Sequence, residues 1–415
     1  MTRILSTARK LGQINGFTAL WSGQFLSRFG DNVFSFSIPL LLYSLRGSTP
    51  ASVGEVLGLV SLPQILFLPL QGIIADRLSR PMLMMLMDGI RMAVMLATAL
   101  AVSHHYDVAF MLICGLLLYS ACSGMFTLCY SAMQASMIQS DARYSAMGAT
   151  QLSNGVAASL APLFASWIFA VSRGLTLFFN AATYVVSILA LAHLREHGYA
   201  SLSTKGTHTS FFQSANEGLK FVFSNRWLWV ATIASMVVNV GISSVTGIIL
   251  PWIVSRHMHL PPTFYGIVIS GMTVGSVATS VVLGSIRRLK RPGTFSYGAM
   301  VLLGLSIASL AWVQTYVLLV FVATLFGAAT TVLSLVWSVT LQDLVPLDTF
   351  GRVVSVDMFL SYLALPMSLT LVGWVSTKFG VVEATEILGA LVCVATCLGW
   401  LYGGIAWDSH YAESA

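Results

Sequence analysis

Few side chains in this 415-residue chain could do chemistry, and they stand out because they interrupt long apolar runs. Arg28 and Asp31 lie three residues apart, the spacing that puts two side chains on one face of a helix, and Gln24, Ser27 and Ser35 continue that face as a polar stripe. A charge at the centre of a membrane helix costs roughly 2.5–3.5 kcal/mol on the insertion scale, so each one there needs a reason. A wet cavity along the stripe supplies one. Asp31 falls near mid-span and is the leading candidate for exchanging protons, with Arg28 as its modulating partner. The plainer alternative is a permanent Arg28–Asp31 ion pair that only stabilises packing. Asp88 and Arg91 repeat the three-residue spacing nearer the end of a later span and read as support for the adjacent loop; Asp357, beyond Arg352, reads as part of the same edge network.

Uncharged polar groups at helical spacing mark the other walls of such a cavity. One run offers Tyr119, Ser123, Thr127, Tyr130 and Gln134, a second Asn239, Ser243 and Thr246 with no charge, and a third Ser334, Trp337 and Ser338. Aromatic and hydroxyl groups mixed this way suit an amphipathic, ring-bearing small molecule, although each alone is also the kind of small polar group that packs helices. His193 and His197 sit four apart and His104 and His105 are adjacent, but no carboxylate or cysteine completes a metal site, so neither metal nor cofactor is expected. The methionines at 82, 84, 85, 87, 92 and 95 fall on several faces and read as flexible packing. Cys114, Cys122, Cys129, Cys393 and Cys397 lie inside apolar runs without ligand spacing. No G-x-x-x-x-G-K-[ST] loop supports direct use of ATP. With no nucleophile or metal constellation, a membrane-embedded lipid-handling enzyme is the weaker reading, and no enzyme activity is expected.

The elements that must hold these residues follow from composition. Hydrophobic residues make up 56% of the chain, charged residues 9%, and the mean hydropathy is +0.82, whereas soluble domains carry about 25% charged residues. A span needs about 20 apolar residues, and twelve runs qualify, near 17–45, 52–75, 82–103, 108–137, 146–171, 175–194, 227–254, 263–285, 294–313, 316–342, 353–377 and 383–406. The first is too long for a signal core and holds two charges, so it reads as a mature helix. With the N-terminus inside and sides alternating, fifteen Lys and Arg fall on the inner face and four on the outer. The net charge of +6 is therefore topogenic and not a nucleic-acid footprint. Both termini are expected in the cytoplasm of an inner or plasma membrane.

A polar stretch at 195–226 divides the chain into an N-terminal half, 1–194, and a C-terminal half, 227–415. Within it Phe211, Phe212, Leu219 and Phe223 sit near helical spacing opposite Glu217 and Lys220, the pattern of a helix lying along the membrane surface as a tether. The halves repeat. Pro39 and Pro251 are 212 residues apart, as are Gly72 and Gly284, and each glycine opens a basic loop closed by proline at Pro81 or Pro292. Parallel repeats of this kind are a transporter signature, with the binding site expected near the bilayer midplane where the repeats meet.

The loop after the second span reads Gly72-Ile73-Ile74-Ala75-Asp76-Arg77-Leu78-Ser79-Arg80. This G-x-x-x-D-R-x-x-R string resembles the signature of the major facilitator superfamily. The resemblance implies an all-α membrane protein of twelve helices in two pseudo-symmetric six-helix bundles that rock about a central cavity. It also implies that Gly72, Asp76, Arg77 and Arg80 form a charged cytoplasmic gate, which Asp88 and Arg91, by their position near the end of the next span, are read as supporting. Trp21-Ser22-Gly23-Gln24, Ser27, Gly30-Asp31, Gly47-Ser48, Leu62-Pro63, Met84 and Asp88 look like the drug-exporter branch that includes macrolide efflux pumps and the enterobactin exporter. That likeness implies export of a small molecule driven by proton entry.

Two departures leave uniport or another coupling residue open. The fifth span has Ala157, Ala161 and Ala165 where antiporters of the family often carry glycines, and the arginine usual in their fourth helix is missing, since no Lys or Arg occurs between Arg91 and Arg143. The expected partners are the bilayer, a small-molecule substrate and protons, with the chain acting as a monomer.

Overall fold

A computed structural model of the chain describes residues 17–45, 47–66, 79–103, 109–137, 143–196, 211–286, 289–346 and 349–413. Every regular element among the described residues is helical. In chain order these are α1 (Phe17–Tyr43), α2 (Pro50–Leu66), α3 (Arg80–Ser103), α4 (Ala109–Met137), α5 (Arg143–Val171), α6 (Arg173–Glu196) and the short α7 (Phe211–Ser224). There follow α8 (Arg226–His257), α9 (Pro262–Ser285), α10 (Pro292–Ser309), α11 (Tyr316–Leu344), α12 (Phe350–Leu363), α13 (Leu365–Phe379), α14 (Val381–Gly399) and α15 (Ile405–Glu413).

Ten helical segments among the described residues are long and apolar enough to cross a membrane, with α12 and α13 counted as one. Together with α1 and the described part of α2 they fall on the twelve spans expected from the sequence. Backbone chemistry sets several of the boundaries. Pro262 and Pro292 occupy the first turns of α9 and α10, where a missing N–H costs nothing. Pro366 falls two residues after Ala364, at which the eleventh span breaks into α12 and α13. Gly380 adopts φ 107°, a conformation open to glycine, and so turns the chain from α13 into α14. The free N–H groups that open α10 are met by Asp408 of α15, which accepts from the amides of Gly293 at 2.7 Å and Thr294 at 3.1 Å.

The chain forms two compact units. One comprises Met1–Leu45 and Leu59–Thr207, the other Arg46–Gly58 and His208–Ala415. In the first, α3 lies along α6 and α4, and α1 along α6 and α5. Gly23 and Gly30 permit the α1–α6 approach, since a Cβ at either would collide with Ala190 or with Thr183. In the second, α9 pairs with α11 and α10 with α14, while α8 runs beside α12 and α14. The first turns of α2 join this unit through glycine: Gly54 and Gly58 meet the backbone of Leu369 and Pro366, and the Ala51 amide donates to Thr377 Oγ1 at 2.8 Å.

Large apolar side chains face outward, including Phe110 at 80% and Val317 at 77% exposure, the surface lipid covers in a chain this apolar. Helix α7 docks on α12: Gly218 meets the Arg352 carbonyl, Glu217 pairs with Arg352, and Leu219 and Phe223 point away.

Candidate functional site

In the first unit the polar residues gather on Asp31. Its Oδ1 accepts from the Tyr119 hydroxyl at 3.0 Å and the Tyr184 hydroxyl at 2.5 Å, and its Oδ2 from Arg91 Nη1 at 3.3 Å. The other arm of the guanidinium holds Asp88. Arg91 and Asp88 are sealed, at 1% and 0% exposure, whereas Asp31 is 27% exposed. The Arg91 guanidinium also lies 4.4 Å from the centroid of Phe126 and 4.6 Å from that of Tyr184, so it is held by two carboxylates and two aromatic faces together.

Arg28 is not the partner of Asp31. Its Nη1 donates to Asn154 Oδ1 at 2.7 Å and its guanidinium sits 4.4 Å over the Tyr130 ring. Three-residue spacing allows two side chains of one helix to meet, but neighbouring helices offered each a better geometry: a guanidinium fork for Asp31, an amide and an aromatic face for Arg28. Asp88 and Arg91, expected to brace a loop, belong instead to the Asp31 cluster.

The stripe on α1 is not uniformly wet. Gln24 and Ser27 are buried, with Gln24 Nε2 donating to Ser187 Oγ at 2.8 Å, because α6 closes over that end of the helix. Arg28 and Asp31 are half-buried and Ser35 is exposed. On α4, Tyr119 enters the cluster and Tyr130 lies under Arg28, while Ser123 and Thr127 donate to carbonyls one turn back, Tyr119 O at 2.8 Å and Ser123 O at 2.9 Å. Gly72, Asp76 and Arg77 lie outside the described residues, and Arg80 opens α3.

In the second unit α8 departs from α geometry at Val245–Ile249 and Ile253–His257, the two π-turns flanking Pro251. In a π-turn the amide of residue 251 would serve carbonyl 246, and proline has no N–H to give. Tyr265 of α9 supplies the donor, its hydroxyl lying 2.7 Å from the Thr246 carbonyl. Tyr265→Phe is expected to leave that carbonyl orphaned and to lower stability by about 1–3 kcal/mol, read as a lower thermal unfolding midpoint in detergent with the helical content unchanged.

Two of the remaining expected residues of this unit, Asn239 and Trp337, reach α12, and the others stay on their own helix. Asn239 Nδ2 donates to the Ser361 carbonyl at 3.2 Å, the Thr246 hydroxyl donates back to Ile242 O at 2.9 Å, and Ser243 is half-buried. Trp337 Nε1 donates to Asp357 Oδ2 at 2.9 Å, and the indole packs against Trp407 and Trp227 with centroids 5.4 and 6.2 Å away. Asp357 does not join an edge network with Arg352, because Arg352 turns to Glu217; it is enclosed by Thr232 of α8 and Trp337 of α11.

Residues missed in the sequence had a visible signal. Asn180, Thr183, Tyr184 and Ser187 of α6 follow helical spacing as a polar stripe and are all buried. Asp357 and Ser361 are one turn apart, and Ser361 borders the Asp357 carboxyl.

A family model described as Major Facilitator Superfamily matches residues 20–367. No curated protein matches in sequence. Among solved structures, the nucleoside transporter NupG superposes with TM-score 0.75 at 14% identity, covering 94% of this chain and 99% of that one. A bacterial homologue of the iron transporter ferroportin, in its inward-facing state, gives TM-score 0.74 at 16% identity, covering 94% and 98%. A POT family transporter in complex with a thioalcohol-conjugated peptide gives 0.74 at 12%, covering 95% and 96%. At these identities the likeness is one of fold.

Proposed function

The chain belongs to the Major Facilitator Superfamily, and on that premise we propose that it exports an amphipathic small molecule in exchange for protons, with Asp31 as the group that takes them up and releases them. Membership makes it a multi-pass membrane transporter rather than an enzyme. The observation that carries the proton assignment is one of charge: two carboxylates, Asp31 and Asp88, share the single guanidinium of Arg91. With both ionised the trio carries a net negative charge next to the fully buried Asp88, which is costly. A proton removes it, and Asp31 is the member that solvent can reach.

Two tyrosine hydroxyls on the same oxygen hold Asp31 in place whether or not it is protonated. Exchange can then proceed without rearranging the helix. Exposed Ser35 and the half-buried Arg28 beside Tyr130 lie along the same helix and suit a substrate with both ring and polar character. Export, and the drug-exporter branch, rest on the first-half motifs around Trp21–Gln24, Gly30–Asp31 and the Gly72–Arg80 loop. In this reading Gly72, Asp76, Arg77 and Arg80 gate the cytoplasmic side, both termini are cytoplasmic, and the chain works as a monomer in an inner or plasma membrane.

The test is substrate-triggered proton flux in oriented proteoliposomes carrying an internal pH-sensitive dye, scanning macrolides, lipophilic cations and siderophores. Wild type is expected to show flux that accompanies uphill substrate movement, and Asp31→Asn is expected to reduce it to background. Full proton-driven uphill transport by Asp31→Asn would remove Asp31 from the mechanism; downhill substrate movement with no proton flux in wild type would make the protein a facilitator.

A further inference from the structure

Among the described residues, the second unit encloses a carboxyl group that no ion pair balances. Asp357 is 4% exposed. Of the charged and ionisable groups on the elements around it, Arg352 on its own helix pairs with Glu217 of α7, and Arg226 of α8 lies over Tyr402 at 5.6 Å. Asp343 of α11 accepts from the Tyr411 hydroxyl at 2.8 Å. Lys220 of α7 is exposed, and Tyr362 of α12 is 45% exposed. The groups that act on the Asp357 carboxyl are neutral: Thr232, Trp337 and Ser361. An ionised carboxylate in that setting carries a large desolvation penalty with no ion pair among the described residues to offset it.

The hydroxyl of Thr232 narrows the matter. Its Oγ1 stands 2.7 Å from Asp357 Oδ1 and 2.9 Å from the carbonyl oxygen of Leu228, both within hydrogen-bond reach. A hydroxyl has one proton and two lone pairs. If that proton serves the Leu228 carbonyl, the short contact to Oδ1 needs a proton from the acid. A protonated Asp357 satisfies every member at once: Oδ1–H donates to Thr232 Oγ1, Thr232 O–H donates to Leu228 O, and Trp337 N–H donates to Oδ2. An ionised Asp357 would have to take the Thr232 proton and leave the Leu228 carbonyl with one donor fewer.

We propose that Asp357 is a second proton-binding site of this protein, carried neutral in the conformation described here and built by Thr232 and Trp337. Loss of the proton requires Thr232 to rotate its hydroxyl from Leu228 toward Oδ1, together with entry of water or a cation, so the site releases its proton only in a conformation that opens α8, α11 and α12 at this level. In the closed conformation the site takes a proton and nothing larger, since the carboxyl is closed to solvent and its neighbours already occupy both oxygens. It does not rest on the role given to Asp31 and would stand in a facilitator as well.

The experiment is infrared difference spectroscopy of the full-length protein in liposomes, reading the C=O stretch of protonated carboxyl groups across a pH titration. Asp31→Asn, in which the first site carries no exchangeable carboxyl at position 31, is expected to show a protonated carboxyl band at neutral pH that Asp31→Asn/Asp357→Asn lacks. Trp337→Phe, which removes the donor to Oδ2, is expected to shift that band without abolishing it. Asparagine reproduces the neutral acid, its Nδ2 donating to Thr232 and its Oδ1 accepting from Trp337, so Asp357→Asn is expected to keep the wild-type unfolding midpoint. An Asp31→Asn spectrum without the band, or a band that survives in Asp31→Asn/Asp357→Asn, overturns the proposal, as does a band indifferent to Trp337→Phe. Loss of proton flux in Asp31→Asn with the Asp357 band intact would separate the two sites.

Discussion

Arg91→Met is expected to destabilise the protein by about 3–5 kcal/mol, the cost of breaking a buried ion pair by removing one partner, seen as a large fall in the thermal unfolding midpoint in detergent. Methionine roughly keeps the volume between Phe126 and Tyr184, so the loss isolates the charge together with its attraction to the two rings. What remains is unequal. Asp31 keeps two tyrosine hydroxyls and a path to solvent, whereas Asp88, fully buried, loses its ion pair. The double variant Asp88→Asn/Arg91→Met is therefore expected to recover a substantial part of the loss, because it removes the carboxylate with the fewest alternatives. Adding Asp31→Asn to it is expected to recover less.

Arg91→Lys separates charge from geometry. One arm of the guanidinium reaches Asp31 and the other Asp88, and an ammonium on a flexible stem cannot present that fork. Lysine is expected to restore only part of the stability. If Arg91→Met shifted stability by less than about 1 kcal/mol, the value of a solvated surface pair, the trio would not be the charged core described here, and the case for a proton on Asp31 would fall with it.

What the sequence could reveal about this molecule divides along physical lines. The spans were legible because crossing a bilayer fixes their length and apolarity, and α9 and α10 start at the prolines that mark them. The Asp88–Arg91 pair was legible because three-residue spacing within one helix is local geometry. The partner of Asp31 was not. It lies sixty residues away on α3, and spacing along a chain carries no record of which helix packs beside which. Asp357 was misplaced for the same reason: Arg352 was near in sequence, but α7 offered it Glu217, and the true neighbours of Asp357 sit on α8 and α11. The closure of α6 over Gln24 and Ser27 depends on Gly23 and Gly30, whose role appears only once the helix that needs the room is known.

Glycine decides the second large effect as well. Helices α9 and α11 approach so closely that a Cβ on Gly327 would overlap the carbonyl of Met272, and one on Gly275 the carbonyl of Thr324. Gly271 and Gly275 stand four apart, the small-residue spacing that lets membrane helices touch backbone to backbone. Ser276 Oγ uses the proximity to donate to the Gly327 carbonyl at 3.0 Å. The obstruction at both positions is backbone, so no rotamer change can relieve it. Gly327→Val is expected to cost at least the ~3 kcal/mol that marks the upper end of overpacking. The readout is loss of monodisperse protein on extraction, or a sharply lower unfolding midpoint where protein survives. Gly298→Ala is the control: nothing lies within 4 Å of the added carbon, and exchanging a helical glycine for alanine favours the helix by about 1 kcal/mol. A Gly327→Val protein as stable as the Gly298→Ala protein would mean that α9 and α11 do not cross at these glycines.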